Sequence, residues 1–388
     1  MTTMDGHRAS DRVPMPALAL GIDFWRRALA APALIGLGPY GPLGQPDIYG
    51  IRLPGGFRAR LIGRAGRLVA GSDYAWHGEP AGGATFRTKE GGWVYASNSD
   101  LPVQGGGAGA IRFNADGRIV DAYRILGGTP DNDAGGATPW STWLSCERSG
   151  HGRVWECDPM RPGLGAVRPD VGAFAHGDAV VDPRTGWVYL TEDDHDGRVY
   201  RFRPDEYGDL STGILEAAKL RRSGHVDWVE VSGRRPERSD STTCFHRGEA
   251  AWFSAGHLFF ATTDQRLWAM NVAANELEVI YDAEAMGADA PLRRPVSVTV
   301  HERSGDILVS EADDADVDTG LQLVLLADAT RRRVSAPFVQ LVGHGGSAIT
   351  GVAFSPDGTR LYFSSQRGTD DEGLTFEVSG PFRKNRGA

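Results

Sequence analysis

The chain has 388 residues, of which 41% are hydrophobic, so it carries enough apolar material for a large core within one closed all-β domain. Its formal net charge is −9, with both signs scattered along the chain, which argues against a nucleic-acid partner. Beyond one short N-terminal run, no stretch approaches the roughly 18 apolar residues of a membrane span. Three cysteines, an odd number, predict no disulfide framework and favour a reducing compartment.

Residues 1–37 are predicted to form an N-terminal extension that is partly disordered or holds one packed helix at 17–36. Within it, Arg26 and Arg27 precede the apolar run ALAAPALIGLG, an arrangement similar to a twin-arginine export signal. The run follows the acidic and aromatic segment IDFW, however, and leads directly into GPYGPLGQPD, which is typical of a folded loop. We therefore expect a cytoplasmic protein rather than an exported one.

From residue 38 onward the sequence repeats one strand–turn–strand unit. A glycine followed within one or two residues by apolar or aromatic pairs occurs six times, and three longer units match one template: AVVDPRTGWVYLTE, SVTVHERSGDILVSE and GVAFSPDGTRLYFSSQ. Repetition of a meander over about 300 residues is typical of a β-propeller. The prediction is a single propeller over 38–388 with six blades, and the alternative is a pair of β-sandwiches.

One such unit, at 174–204, also concentrates polar groups. Alternating apolar residues on both sides of the turn at 182–186 predict two antiparallel strands. His176 and Asp178 enter the first strand and Glu192 leaves the second. Carboxylates and an imidazole at one end of a sheet are the groups that a metal or acid–base site requires.

Two segments are predicted to be helical. Residues 210–221 (LSTGILEAAKLR) begin with Ser211 or Thr212 as a possible N-cap, and residues 283–288 are long enough for about one turn. Both are interpreted as insertions between blades.

Several strings together resemble a known family: GPYGPL at 38–43, YAWH at 74–77, WVYASNSD at 93–100, GATPWSTWLSCE at 136–147, VYLTED at 188–193, ITGVAFSPDG at 349–358 and SSQRG at 364–368. With these motifs the chain resembles the PhoX-type alkaline phosphatases, in particular a divergent subgroup of actinobacterial type. The resemblance implies a funnel-shaped propeller with iron and calcium ions on its axis, at which phosphate monoesters are hydrolysed.

Five polar positions of the family pattern are changed here. A family cysteine is replaced by Asp133, and an acid after the TPWSTWLSCE string by Arg148. The glutamate after His176 is replaced by Gly177, with Asp178 one place further on, and two further acids by Val296 and Ala348. Each cation requires its full shell of oxygen or sulfur ligands. We therefore expect calcium at most, without the full iron–calcium cluster, and a loss of the classical phosphatase activity.

The candidate site residues fall into three predicted roles. The catalytic set is His176, Glu192, Glu249 and Asp133; the substrate-binding set is Asn98, Trp140, Arg294 and Arg148; the metal-binding set is Glu147, Asp178, Glu311 and Asp313. Clustered carboxylates raise one another's pKa, which provides a general acid beside an ionised partner. Alternatives stay open: Asn98 as a turn residue, Glu249 paired with Arg247, and Asp313 as a solvated turn acid.

Three functions compete at this stage. The first is a propeller enzyme that acts on a small organic substrate in the central funnel through a changed carboxylate and histidine site. The second is a calcium- and iron-dependent phosphomonoesterase in which Asp133 and Asp178 replace missing ligands. The third is a non-catalytic propeller that binds a ligand or a protein. The expected partner is a small molecule, with no nucleic acid, membrane or obligate protein partner.

Overall fold

The computed structural model describes residues 38–234, 236, 238–239, 241–287, 290, 294–311, 321–327, 336–370 and 372–383, with the backbone alone at 286 and 321–327. The predicted extension at 1–37 and the candidate ligand Asp313 lie outside the described residues. Within the described part, no helix is long and apolar enough to cross a membrane.

The described strands form six antiparallel sheets, here called blades 1 to 6. Blade 1 contains β3 (Pro80–Arg87), β4 (Trp93–Ser99), β5 (Gly106–Phe113) and β6 (Ile119–Thr129), and blade 2 contains β7 (Trp143–Cys146), β8 (Val154–Cys157) and β9 (Ala166–Val167). Blade 3 contains β10 (His176–Val181), β11 (Val188–Glu192), β12 (Val199–Glu206), β13 (Asp209–Leu220) and β14 (Val226–Glu230). Blade 4 contains β15 (Gly248–Ser254), β16 (His257–Thr262), β17 (Arg266–Asn271) and β18 (Glu276–Asp282).

The last two blades each recruit a strand from the beginning of the described chain. Blade 5 contains β19 (Pro295–His301), β20 (Asp306–Glu311), β21 (Leu321–Ala327) and β22 (Ala336–Leu341), with β1 (Ile51–Arg52) paired to β22. Blade 6 contains β23 (Ile349–Phe354), β24 (Arg360–Ser365) and β25 (Leu374–Ser379), with β2 (Arg58–Arg64) paired to β25. These two pairings join the two ends of the described chain and close the ring.

The first strand of each blade lies nearest the axis. The first strands of successive blades from blade 2 to blade 6 contact one another in order, and β23 contacts β3 to complete the circle. Apolar clusters fill the space between neighbouring blades, as where Val94 of blade 1 packs with Trp143 of blade 2 and Tyr189 of blade 3 with Phe260 of blade 4. The all-β propeller prediction is confirmed, and the alternative of two sandwiches is wrong.

Local turn chemistry explains the repeated unit. In the turn at 182–186, the Asp182 carboxylate accepts hydrogen bonds from the Arg184 amide at 2.9 Å and the Thr185 hydroxyl at 2.9 Å. Gly186 then adopts a φ of +74°, which is disfavoured for residues with a Cβ atom. The predicted strand pair on either side of this turn is confirmed as β10 and β11.

The helix prediction for residues 210–221 is wrong, because this segment forms most of β13. Each side of β13 is hydrogen-bonded to a neighbouring strand, β12 or β14, and Glu216 pairs across the sheet with Arg201 at 2.6 Å and Arg203 at 2.9 Å. Cross-strand pairing and burial override the local helix propensity of Leu, Glu, Ala and Lys. The short helix α1 (Ala283–Met286) does form, with the Asp282 carboxylate accepting from the Ala285 amide as an N-cap.

Candidate functional site

A cavity of about 370 Å³ lies on the propeller axis. Its wall is built from the first strands of blades 1, 3, 4, 5 and 6, together with the segments that flank β7 in blade 2. The charged side chains that line it are Asp133, Arg148, Asp178, Glu249, Arg294 and Arg367. Five of these six were candidates from the sequence, so the fold brings nearly half of the predicted set into one place.

The positions at which the sequence departs from the family pattern converge on this cavity. Asp133, Arg148, Gly177, Val296 and Ala348 come from five different segments of the chain, and all of them line it. Changes scattered over more than 200 positions in sequence therefore meet at a single site. Because the resemblance places these positions at one ion site, their convergence indicates that the fold keeps the location of that site while its side chains differ.

Arg148 lies between two carboxylates. One of its guanidinium nitrogens is 2.7 Å from Oδ2 of the buried Asp100, and the other is 3.5 Å from Oδ2 of Asp133. Gln366 also donates to Asp100, at 3.2 Å. Burial raises the pKa of Asp100 to about 7, with Asp133 adding to the rise and Arg148 opposing it. The pKa of Asp133 is also raised, mainly by burial.

Asp178 is held in place by the backbone at a β-bulge. Its Oδ1 accepts from the Ala179 amide and its Oδ2 from the Ala251 amide, both at 2.7 Å. The bulge shifts the register of β10 between His176 and Asp178, and Gly177 within it faces the neighbouring blade. A Cβ at Gly177 would lie 1.9 Å from the Gly248 carbonyl oxygen. Burial raises the pKa of Asp178 to about 7, although the backbone hydrogen bonds act in the opposite direction.

Glu249 differs from the other carboxyls because no described residue donates a hydrogen bond to its side chain. The alternative that it pairs with Arg247 is wrong, since Arg247 lies 3.2 Å from Asp193 instead. Burial is the main cause that raises the pKa of Glu249 to about 8, followed by the charges of Asp193 and Asp133. The group is therefore largely protonated at neutral pH and can donate a proton into the cavity.

Two of the candidate carboxylates lie away from the cavity in structural ion pairs. Both oxygens of the buried Glu147 are occupied, by the Arg153 amide and guanidinium and by the Trp155 indole N–H. Glu192 accepts from the Arg198 amide and the Tyr200 hydroxyl, and its other oxygen is 2.7 Å from Arg238. A buried carboxylate requires such partners, and these pairs stabilise the blades.

Three further candidates do not line the cavity. His176 is fully buried with its ring 3.9 Å from that of Phe174, and burial lowers its pKa to about 3, so the imidazole is neutral. Trp140 donates its indole N–H to Glu156 at 2.7 Å and contacts Tyr207 edge-on. Glu311 lies at the end of β20, opposite Pro295.

Asn98 is a strand residue of β4, so its interpretation as a turn residue is wrong. Its amide nitrogen donates to the backbone carbonyls of Asp133 and Ala134, and its Oδ1 accepts from Trp143 and Ser145. The fully buried side chain therefore joins blade 1 to blade 2 and fixes the backbone at Asp133. It acts on the cavity through that segment, without lining the cavity itself.

The iron and calcium cluster that the resemblance implies does not fit these side chains. No group of three or more His, Cys, Asp or Glu side chains in the described residues is arranged to hold a metal ion. Among the candidate ligands, Glu147 and Asp178 already have both oxygens engaged, and Asp133 faces the guanidinium of Arg148. A guanidinium and a metal cation compete for the same carboxylate lone pairs, so these side chains do not suit such a cluster.

Three residues that belong to this site were given none of the predicted roles, although Asp100 is a polar residue that the sequence retains from the family pattern. Asp100 forms an ion pair with Arg148, and Gln366 donates a hydrogen bond to Asp100. Arg367 lines the cavity, with its guanidinium 3.6 Å from Glu79. All three lie in strings that carried the family resemblance, WVYASNSD and SSQRG, which was the available signal.

Comparison with known proteins confirms the resemblance at the level of the fold. Residues 147–289 match the family described as Alkaline phosphatase PhoX. Pseudomonas fluorescens PhoX in complex with vanadate, a transition-state analogue, is 14% identical with a TM-score of 0.69, covering 91% of this chain and 98% of that one. A gluconolactonase from Xanthomonas campestris is 14% identical with a TM-score of 0.50, covering 88% and 99%. No curated protein sequence matches significantly.

Proposed function

We propose that this PhoX-like propeller is an enzyme that performs general acid–base catalysis on a small, uncharged organic molecule in the axial cavity. The observation that carries the proposal is the convergence of all five departures from the family pattern on one cavity that also contains Glu249. Glu249 accepts no hydrogen bond from the described residues, and it lines the same cavity as the Arg148–Asp133 pair, so a protonated acid and an ionisable carboxylate share one wall.

Glu249 is the proposed general acid. With a pKa raised to about 8, it holds a proton at neutral pH, and its side chain accepts no hydrogen bond from described residues that would compete for substrate. An acid whose pKa lies near the working pH combines a protonated resting state with easy proton release. Its role would be to donate a proton to an oxygen of the substrate as negative charge develops there.

Asp133 is the proposed proton acceptor. It lines the same cavity and acts electrostatically on Glu249, and Arg148 favours its ionised form against the effect of burial. Two carboxyls with unequal environments are the usual basis for separate acid and base roles. Asp178, held by two backbone amides, would orient the substrate rather than move, since its oxygens are already fixed.

The charge of the wall supports an uncharged substrate. Three arginines line the cavity, but Arg148 is held by Asp100 and Asp133, and Arg367 faces Glu79. Three carboxyls line the same cavity. Because Arg148 and Arg367 already face carboxylates, few free donors remain for the dianion of a phosphate monoester, whose oxygens normally require cations or several free donors.

The test compares turnover of uncharged and dianionic probes. We expect the purified protein to hydrolyse para-nitrophenyl acetate or δ-valerolactone faster than para-nitrophenyl phosphate, with a rate that falls as the pH rises through about 8, as Glu249 loses its proton. Glu249→Gln should lower kcat on the order of 100-fold, the usual contribution of a general acid. Glu206→Gln, at the exposed end of β12 and outside the cavity lining, is the matched control.

A calcium- and iron-dependent phosphomonoesterase is the second candidate, favoured by the family match over 147–289 and the TM-score of 0.69 to a PhoX structure. Adding calcium and iron salts to the same assay decides between the two. Turnover of para-nitrophenyl phosphate that appears only with added metal, together with stoichiometric iron by elemental analysis, would replace the first proposal with the second.

A further inference from the structure

We propose that Arg148 acts as a resident cation, occupying a latent divalent-cation site formed by Asp100 and Asp133. The proposal concerns how the cavity is held together and does not depend on which reaction takes place there. Removing the guanidinium should convert the wall of the cavity into a binding site for calcium.

The geometry places one positive group between two carboxylates. Arg148 reaches Asp100 at 2.7 Å with one nitrogen and Asp133 at 3.5 Å with the other, so the guanidinium bridges the two side chains. The two carboxylates belong to different segments of the chain: Asp100 follows β4 of blade 1, and Asp133 precedes β7 of blade 2. A bridging cation between such segments is the usual structural role of a bound calcium ion, here performed by a side chain.

The carboxyls around Arg148 favour a positive charge at the position of its guanidinium. Asp133 and Asp100 are the main charges that raise the pKa of Arg148, and Glu249 and Asp193 contribute in the same sense. At neutral pH, where Glu249 is largely protonated, Asp133 and Asp100 are the carboxyls that act most strongly on this guanidinium. Without Arg148, the two nearest carboxylates would be left uncompensated, and they would either take up protons or bind another cation.

The remaining groups suit a hard cation with oxygen ligands. Asp100 and Asp133 provide carboxylate oxygens, and Gln366, within 3.2 Å of Asp100, can turn its amide oxygen toward the same point. The adjoining cavity of about 370 Å³ has room for the water molecules that complete a calcium shell. Magnesium requires stricter octahedral geometry, so calcium is the expected occupant.

Another arginine of the same cavity provides a matched control. Arg367 also lines the cavity, but it faces the single carboxylate of Glu79 at 3.6 Å. Among the described residues it forms no ion pair with a second carboxylate, so its removal frees one acid where removal of Arg148 frees two. Arg367→Ala should therefore create no calcium site, although it deletes the same side chain from the same wall.

The experiment is a calcium titration of the full chain by calorimetry, with terbium luminescence and thermal unfolding as independent readouts. Arg148→Ala should bind calcium at least 10-fold more tightly than the wild-type chain and Arg367→Ala, and its melting temperature should rise with added calcium. Arg148→Ala combined with Asp133→Asn should lose this binding. If Arg148→Ala is not folded, Arg148→Gln replaces it under the same criteria.

Two results would overturn the proposal. The first is wild-type calcium binding as tight as that of the Arg148 variants, because the guanidinium would then not occupy the site. The second is a folded Arg148 variant that shows no calcium-dependent change in any of the three readouts. None of these readouts depends on turnover, so they separate this proposal from the proposed catalytic function.

Discussion

The pH dependence of stability offers the sharpest quantitative test of the cavity, through the substitution Glu249→Gln. The folded state raises the pKa of Glu249 from 4.5 to about 8. A carboxyl with a raised pKa weakens the fold when it ionises, so this loss is absent below pH 4.5, grows as the pH rises and is complete above about 8. At about 1.4 kcal/mol for each pKa unit, the full difference corresponds to at most about 5 kcal/mol.

Glutamine keeps the shape of the protonated side chain and cannot ionise. Relative to the wild-type chain, Glu249→Gln should therefore be close to neutral at pH 4 and more stable by several kcal/mol at pH 9, measured by urea denaturation at both values. The exposed Glu206→Gln should show no such divergence. Equal effects of Glu249→Gln at the two pH values, or a greater destabilisation at pH 9, would refute the placement of an unpaired carboxyl in the cavity.

Two further substitutions test how the site is supported. Asn98→Ala should destabilise the fold by about 3 kcal/mol or more, because it removes four hydrogen bonds and leaves the Trp143 and Ser145 donors and two carbonyls without this partner; thermal unfolding measures the loss. A smaller effect than that of Asn114→Ala, which removes only two hydrogen bonds within a half-buried turn, would contradict the bridging role. Gly177→Ala should lower stability because its Cβ would meet the Gly248 carbonyl at 1.9 Å, whereas Gly55→Ala, with open space around it, should be tolerated; equal melting temperatures would disprove the close packing.

Much of the architecture could be predicted from the sequence, since a strand–turn–strand pattern recurs along the chain. Alternating apolar residues, turn-forming Asp and Gly residues and the recurrence of the unit all point to a propeller, and the turn at 182–186 forms as its residues predict. The helix prediction for residues 210–221 was wrong for a physical reason. These residues favour a helix in isolation, but their backbone is hydrogen-bonded to strands on both sides.

The site was harder to predict because sequence reveals which polar residues exist but not how they are paired. Glu147 and Glu192 carry carboxylates that could serve at a metal or catalytic site, and only the fold reveals that Arg153 and Arg238 form ion pairs with them. For Glu249 the sequence suggested a pair that does not form. Arg247 is its neighbour in sequence, but in the structure Arg247 pairs with Asp193. The departures from the family pattern were the better guide, because they identified the cavity wall without any knowledge of pairing.

The pairing of β2 with β25 sets a condition on how the molecule can be made. Residues 64 and 374 are partners in this ladder, so the edge of β2 stays unpaired until synthesis has reached β25, about 310 residues later. An unpaired strand edge can pair with another chain, which exposes the nascent protein to association with its neighbours. A chain that stops before residue 374 would therefore leave the edges of β2 and β24 both unpaired, and such fragments should be recovered in the insoluble fraction.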